Sequence, residues 1–184
     1  MRIVSGKFRG RSLATPSNQA IRPTTDRTRE SLFNILTHLQ ENVISDKRVL
    51  DLFAGTGALG LEALSRGAKA AVFVEMSVEG RALIQENIEN FNLHGCARIL
   101  RRDATQLGTI GTMKPFELVF ADPPYGKGLG EQAFCSAYEG GWLSPDAVLI
   151  LEETAEVEIN LPKMFILKDK RHYGGTFVSI YTLN

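Results

Sequence analysis

The chain has 184 residues, 43% hydrophobic and 23% charged, which suits a single domain with a sizeable core. Its basic amino terminus carries no apolar stretch of the signal-peptide kind, and no run approaches a membrane span, so a cytoplasmic protein is expected. Lys plus Arg equals Asp plus Glu at 21 each, yet the zero net charge hides an asymmetry. Residues 1–29 hold Arg2, Lys7, Arg9, Arg11, Arg22, Arg27 and Arg29 against Asp26 alone, a net of +6 that leaves −6 for the remainder.

In chain order, Gly6 and Gly10 around Lys7-Phe8-Arg9 read as a short two-stranded ribbon that could lay its charges along a polyanion. Arginine, six against one lysine, suits phosphate clamping and stacking on unpaired bases. Leu32, Phe33, Ile35, Leu36 and Leu39 then mark one face of a helix from about Arg27 to Gln40. Val49 to Phe53 reads as a strand, and Ala54-Gly55-Thr56-Gly57-Ala58-Leu59-Gly60 as a glycine turn opening a helix at about Ala58 to Arg66, stopped by Gly67. The strand Ala70 to Val74, the helix Val78 to Phe91 and the strand Ala97 to Leu100 follow. After them come the strand Phe116 to Ala121, a helix from Leu129 to Tyr138 and the strand Ala147 to Leu151. Met164 to Lys168 and Thr176 to Leu183 close the sheet as an antiparallel pair. Trp142 reads as a packing anchor for the turn into the strand beginning at Ala147. The alternation predicts a doubly wound α/β fold, a mostly parallel seven-stranded sheet with helices on both faces and a short basic β-ribbon extension. The expected division is 1–26 for that extension and 27–184 for the body.

Two motifs carry chemistry. Gly55, Gly57 and Gly60 fit G-x-G-x-x-G, and Glu75 lies 20 residues beyond Gly55 at a strand end, the spacing of an acid that grips two ribose hydroxyls. Asp51 adds nothing to a pyrophosphate site but suits a cationic ligand, which favours S-adenosylmethionine over a nicotinamide dinucleotide. Asp103 could accept from an adenine amino group, or could cap a turn. The second motif, Asp122-Pro123-Pro124-Tyr125, ends the Phe116 to Ala121 run. Two prolines fix φ and remove two donors, and Asp122 and the Pro123 carbonyl could both accept from one exocyclic amine while the Tyr125 ring could stack on a base. Alone, that turn fits an ordinary loop start equally well; the glycine motif favours the chemical reading. Cys96 and Cys135, far apart and outside any CxxC, read as reduced thiols, and His38, His94 and His172 show no ligand pattern, so no metal is expected.

With these residues the chain resembles the class I S-adenosylmethionine-dependent methyltransferases. Through Met1-Arg2-Ile3-Val4-Ser5-Gly6-Lys7-Phe8-Arg9-Gly10-Arg11, Arg22-Pro23-Thr24-Thr25-Asp26-Arg27-Thr28-Arg29-Glu30-Ser31-Leu32-Phe33-Asn34-Ile35-Leu36 and the closing Tyr173-Gly174-Gly175-Thr176, it resembles the RsmD family. That resemblance implies methylation of a guanine exocyclic N2 in small-subunit (16S) ribosomal RNA, free or in a partly assembled particle. It implies catalytic residues Asp122, Pro123, Pro124 and Tyr125 and a cofactor site of Asp51, Phe53, Gly55, Gly57, Glu75, Met76, Asp103 and Ala104. Arg2, Lys7, Arg9, Arg11, Arg22 and Arg27 are the expected RNA contacts, with His172 and Tyr173 beside them. A monomer without metal or membrane partner is expected. An adenine N6 amino-methyltransferase and a noncatalytic RNA-binding assembly factor stay open as alternatives, and a nicotinamide dehydrogenase is a third.

Overall fold

A computed structural model describes residues 1–17, 25–39 and 42–184. Its elements are α1 (Asp26–Leu39), β1 (Arg48–Leu52), α2 (Ala58–Ser65), β2 (Ala70–Val74), α3 (Val78–Asn90), β3 (Ala97–Leu100), β4 (Phe116–Ala121), α4 (Leu129–Glu139), β5 (Leu143–Thr154), β6 (Phe165–Tyr173) and β7 (Thr176–Leu183). A 3-10 turn, Ala104–Gln106, follows β3. The strands form one sheet of order β3-β2-β1-β4-β5-β7-β6. β1 to β5 run parallel and β7 pairs antiparallel with both β5 and β6.

Strand period two divides the apolar runs between two cores. Val49, Phe73, Leu118, Phe120 and Ile150 face Leu32, Phe33 and Leu36 of α1, Leu61 and Leu64 of α2, and Ile84 and Ile88 of α3. Leu50, Leu52, Val72, Val119 and Leu149 face Ala133, Phe134 and Ala137 of α4. Strands buried on both faces read as continuous apolar runs, which is why β1, β2, β4 and β5 were legible.

The differences from the sequence reading have local causes. β1 stops at Leu52 because Phe53 adopts φ +56°, a left-handed turn that starts the glycine loop. β5 begins at Leu143, not Ala147: Leu143 pairs with Phe116, and the register then shifts by a bulge that holds Pro145, where no ladder donor is required. Trp142 is fully buried just before it, its Nε1 donating to the Gly108 carbonyl at 2.7 Å. β6 continues past Lys168 to Tyr173 across a bulge between Leu167 and Asp169, as a polar edge strand with no alternation to betray it. Gln40 and Arg22 lie outside the described residues. Among the described residues, no helix is long and apolar enough to cross a membrane.

The leader packs into the body. Residues 1–13 double back through one antiparallel bridge, Arg2 to Ser12, with Ile3 N donating to Arg11 O at 3.0 Å. Ile3, Phe8 and Leu13 join the core on the α1–α3 face. Glu62 of α2, fully buried, accepts from Val4 N at 2.9 Å and Ser5 N at 3.0 Å, and Ser65 O accepts from Lys7 N at 2.8 Å. Arg29, counted above with the basic segment, is also fully buried: it bridges Asp26 at 2.9 Å and Glu62 at 3.5 Å and donates to the Arg2 carbonyl.

At Gly6, φ is +82° and an added Cβ would stand 1.9 Å from the Ser65 carbonyl oxygen. Gly6→Ala should therefore lift the leader off α2 and cost about 1–3 kcal/mol, seen as a lower urea midpoint with new proteolysis within the leader. A wild-type midpoint would show that this approach adds nothing.

Candidate active site

The order β3-β2-β1-β4-β5 reverses its winding between β1 and β4, and ligands of such sheets bind beyond the carboxyl ends of the strands at that point. A cleft of about 740 Å³ opens there. Four acids from four strands line it: Asp51 within β1, Glu75 after β2, Asp103 after β3 and Asp122 after β4. Phe53, Gly55, Met76, Ala104, Pro123, Pro124 and Tyr125 complete the predicted lining.

The acids do different things. Asp51 is 2% exposed and its Oδ2 accepts from Gly60 N at 2.9 Å, so it braces α2 against β1 as well as facing the cleft. Burial, with the Asp122 and Glu75 charges nearby, pushes its carboxyl well above 3.8 against the downward pull of the Gly60 amide. Glu75 is held from both sides: Gly55 N donates to Oε2 at 2.7 Å and Ser77 N to Oε1 at 2.8 Å. Asp103 is the cap of the 3-10 turn, its Oδ1 accepting from Thr105 N at 2.8 Å, so the capping alternative holds while the residue still lines the cleft.

The glycines divide likewise. Around Gly55, at φ +57°, a Cβ would meet only the Phe53 carbonyl at 4.0 Å, which leaves the backbone open to a ligand. Gly57 is absent from the lining; it caps α2 at φ +78°, where a Cβ would press on Ile84 and Phe73. A Cβ at Gly60 would lie 2.4 Å from the Phe73 ring, so this glycine permits close helix–strand packing.

Met1, Arg102, Thr105 and Leu129 line the cleft unannounced by the sequence. Met1 arrives because the leader docks, and its sulfur accepts from Thr56 Oγ1 at 3.8 Å. Fully buried Asn87 of α3 also went unread: its Nδ2 donates to Thr56 O at 3.3 Å while its Oδ1 accepts from Ala14 N at 2.8 Å, tying glycine loop to leader. Beyond the cleft, Tyr125 Oη donates to Glu152 Oε1 at 2.8 Å. Of the expected RNA contacts, Arg2, Lys7, Arg9, Arg11 and Arg27 are exposed. Arg11 stacks 4.4 Å above Phe91 and donates to Asn90 O at 2.6 Å. Among the described residues, no group of His, Cys, Asp and Glu has the arrangement of a metal site.

Residues 1–182 match the family described as conserved hypothetical protein 95. A relative from Escherichia coli, named ribosomal RNA small subunit methyltransferase D, is 44% identical over 165 residues, 88% of this chain and 78% of its own. The Haemophilus influenzae protein of the same name is 34% identical over 183 residues, 98% of this chain and 93% of its own. Among solved structures, an Escherichia coli chain described as the methyltransferase yhhF superposes with a TM-score of 0.85 at 35% identity, covering 100% of this chain and 98% of that one.

The raised Asp51 carboxyl has a consequence for stability. It keeps its proton in the fold at a pH where the unfolded chain has already lost it, so stability falls as pH rises through and beyond 3.8. Asp51→Asn retains an acceptor for the Gly60 amide and removes that titration. Its urea midpoint should gain on the wild type as pH is raised from about 4 to about 8, whereas a constant difference would place the Asp51 carboxyl at its ordinary value.

Proposed function

The chain belongs to the RsmD family, and from that membership we propose that it transfers a methyl group from S-adenosylmethionine to the exocyclic N2 amine of a guanine in small-subunit ribosomal RNA. One observation carries the reading: the glycine loop, Asp51, Glu75, Asp103 and the Asp122–Tyr125 turn share a single cleft. The substrate class is supported by the relatives named above.

The cleft fits this donor better than a dinucleotide. Carboxylates favour an ammonium and a sulfonium and oppose a pyrophosphate. Arg102, a cation in the lining, is turned to the protein: its Nη1 donates to Leu107 O at 2.7 Å and its guanidinium lies 5.6 Å from the Trp142 ring. Glu75 would hold the ribose hydroxyls, Asp51 the cationic end, and Asp103 the adenine amine, with Phe53, Gly55, Met76 and Ala104 around them. When bound, S-adenosylmethionine supplies a methyl made electrophilic by its sulfonium.

The residues at β4 then prepare the acceptor. A guanine N2 lone pair is delocalised into the ring and is a weak nucleophile. Hydrogen bonds from its two protons to Asp122 and the Pro123 carbonyl pyramidalise the nitrogen and aim the lone pair at the methyl. Transfer would form the C–N bond as the C–S bond breaks, with the bonding pair leaving on sulfur and the surplus amine proton passing to Asp122 or to water. Orientation of this kind contributes up to roughly 7–11 kcal/mol. The base must be unpaired or extruded to reach the cleft, and exposed Arg2, Lys7, Arg9 and Arg27 would hold the RNA around it.

Labelled cofactor incubated with deproteinised and partly assembled small-subunit particles should yield N2-methylguanosine; label in N6-methyladenosine, or none, overturns the reading. Asp122→Ala should abolish transfer and leave S-adenosylhomocysteine affinity within a few fold, and unchanged turnover would remove Asp122 from the chemistry. Arg9→Glu should weaken RNA binding and lower the slope of log affinity against log salt by about 1. A flat salt titration of the wild type would exclude a phosphate clamp.

A further inference from the structure

We propose that Glu152 is a positioning residue that fixes the Tyr125 ring and so sets the platform on which the target base stacks; this deepens the reading above and rests on it. The loop from Asp122 to Gly128 joins β4 to α4, and two neighbouring residues of β5 grip it. Glu152 Oε1 accepts from Tyr125 Oη at 2.8 Å, and Glu153 Oε1 accepts from Gly126 N at 2.9 Å and Thr154 N at 2.8 Å. Successive strand residues point to opposite faces, so consecutive loop residues are held from the two sides of one strand. Glu153 is 1% exposed, which makes its grip part of the fold; Glu152 is only half-buried.

The loop needs such a grip. Gly126 and Gly128 adopt φ +75° and +62°, and a Cβ at Gly126 would meet no atom within 4 Å, so packing does not confine that bend. The two prolines fix the backbone before Tyr125 but leave its χ angles free. The hydrogen bond from the phenol to the Glu152 carboxylate selects one ring orientation. The backbone of Glu152 is fixed by its pairing with Val178 of β7, and Thr176 Oγ1 stands 3.4 Å from the same carboxylate oxygen while its proton also has the Tyr173 carbonyl in reach at 3.1 Å. The ring is thereby referred to the rigid β5–β7 ladder. Stacking then requires no reorientation when the base enters, and the benefit falls on the transfer step.

A merely structural strut between the loop and the β6–β7 hairpin would act whether or not residue 125 carries a hydroxyl, and this separates the two roles. Single-turnover methyl transfer to partly assembled small-subunit particles, at saturating RNA, is measured for wild type, Glu152→Ala, Tyr125→Phe and the double variant. Each single change should slow transfer by about tenfold with S-adenosylhomocysteine affinity held within a few fold, and the double variant should be no slower than either single. Multiplicative losses in the double variant, or wild-type rate in Glu152→Ala, overturn the inference. Should Glu152→Ala fail to fold by urea denaturation, isosteric Glu152→Gln takes its place: slower than wild type, but without effect in the Tyr125→Phe background. An equal effect of Glu152→Gln in both backgrounds overturns the inference. A wild type that transfers no methyl to RNA overturns the function itself, whereas an active wild type with multiplicative losses overturns this inference alone.

Discussion

Carboxylates that accept from backbone amides across chain crossings are the constraint on which the rest of this structure depends. Glu62 takes the amides of Val4 and Ser5, Asp51 that of Gly60, Glu75 those of Gly55 and Ser77, and Glu153 those of Gly126 and Thr154. Each bond satisfies a donor in a loop, in the first turn of a helix or at a strand end, where an unpaired buried amide costs about 1–3 kcal/mol. Because three of these acids stand in or just after sheet strands and Glu62 is central in α2, the loops they hold inherit the rigidity of the core. The cleft is therefore shaped before any ligand arrives.

The same economy makes leader, glycine loop and α2 one mechanical piece. Glu62 meets Arg66 at 2.9 Å and Arg29 at 3.5 Å, and Arg29 reaches back to Asp26 and the Arg2 carbonyl. A buried ion pair is weak evidence of net stability, since desolvation opposes the attraction. The placement of residues 1–13 that engages this group also seats Ile3, Phe8 and Leu13 in the core. Asn87 adds a second tie, from Ala14 to Thr56. Through Ile3, Phe8 and Leu13 the basic leader shares the core of the α1–α3 face.

Much of this was readable in the sequence, and the portion that was not has identifiable reasons. Strands such as Phe116 to Ala121 are apolar on both faces and bounded by turn residues, so composition alone marks them. The acids at strand ends were legible because a parallel sheet gives that location meaning. Arg29 was counted with the basic segment since nothing local tells a buried arginine from a solvated one; its partner Glu62 is 33 positions away. Gly57 was read with the ligand loop, though its freedom serves packing on Ile84 and Phe73. Glu152 and Glu153 escaped notice because 27 residues separate them from the loop they hold. Long-range pairing is set by topology, and no local pattern reports it.

The polar stretch that hid β6 has a use of its own. β3 and β6 are the two margins of the sheet, and every margin offers a free ladder of amides and carbonyls to any passing extended chain. Lys168, Lys170 and Arg171, the last paired with Asp169 at 2.8 Å, leave that border charged and net positive, and the irregularity after Leu167 breaks its spacing. A second molecule that tried to continue the sheet would have to bury those cations against its own. Copies of the chain are thereby opposed from joining edge to edge along β6.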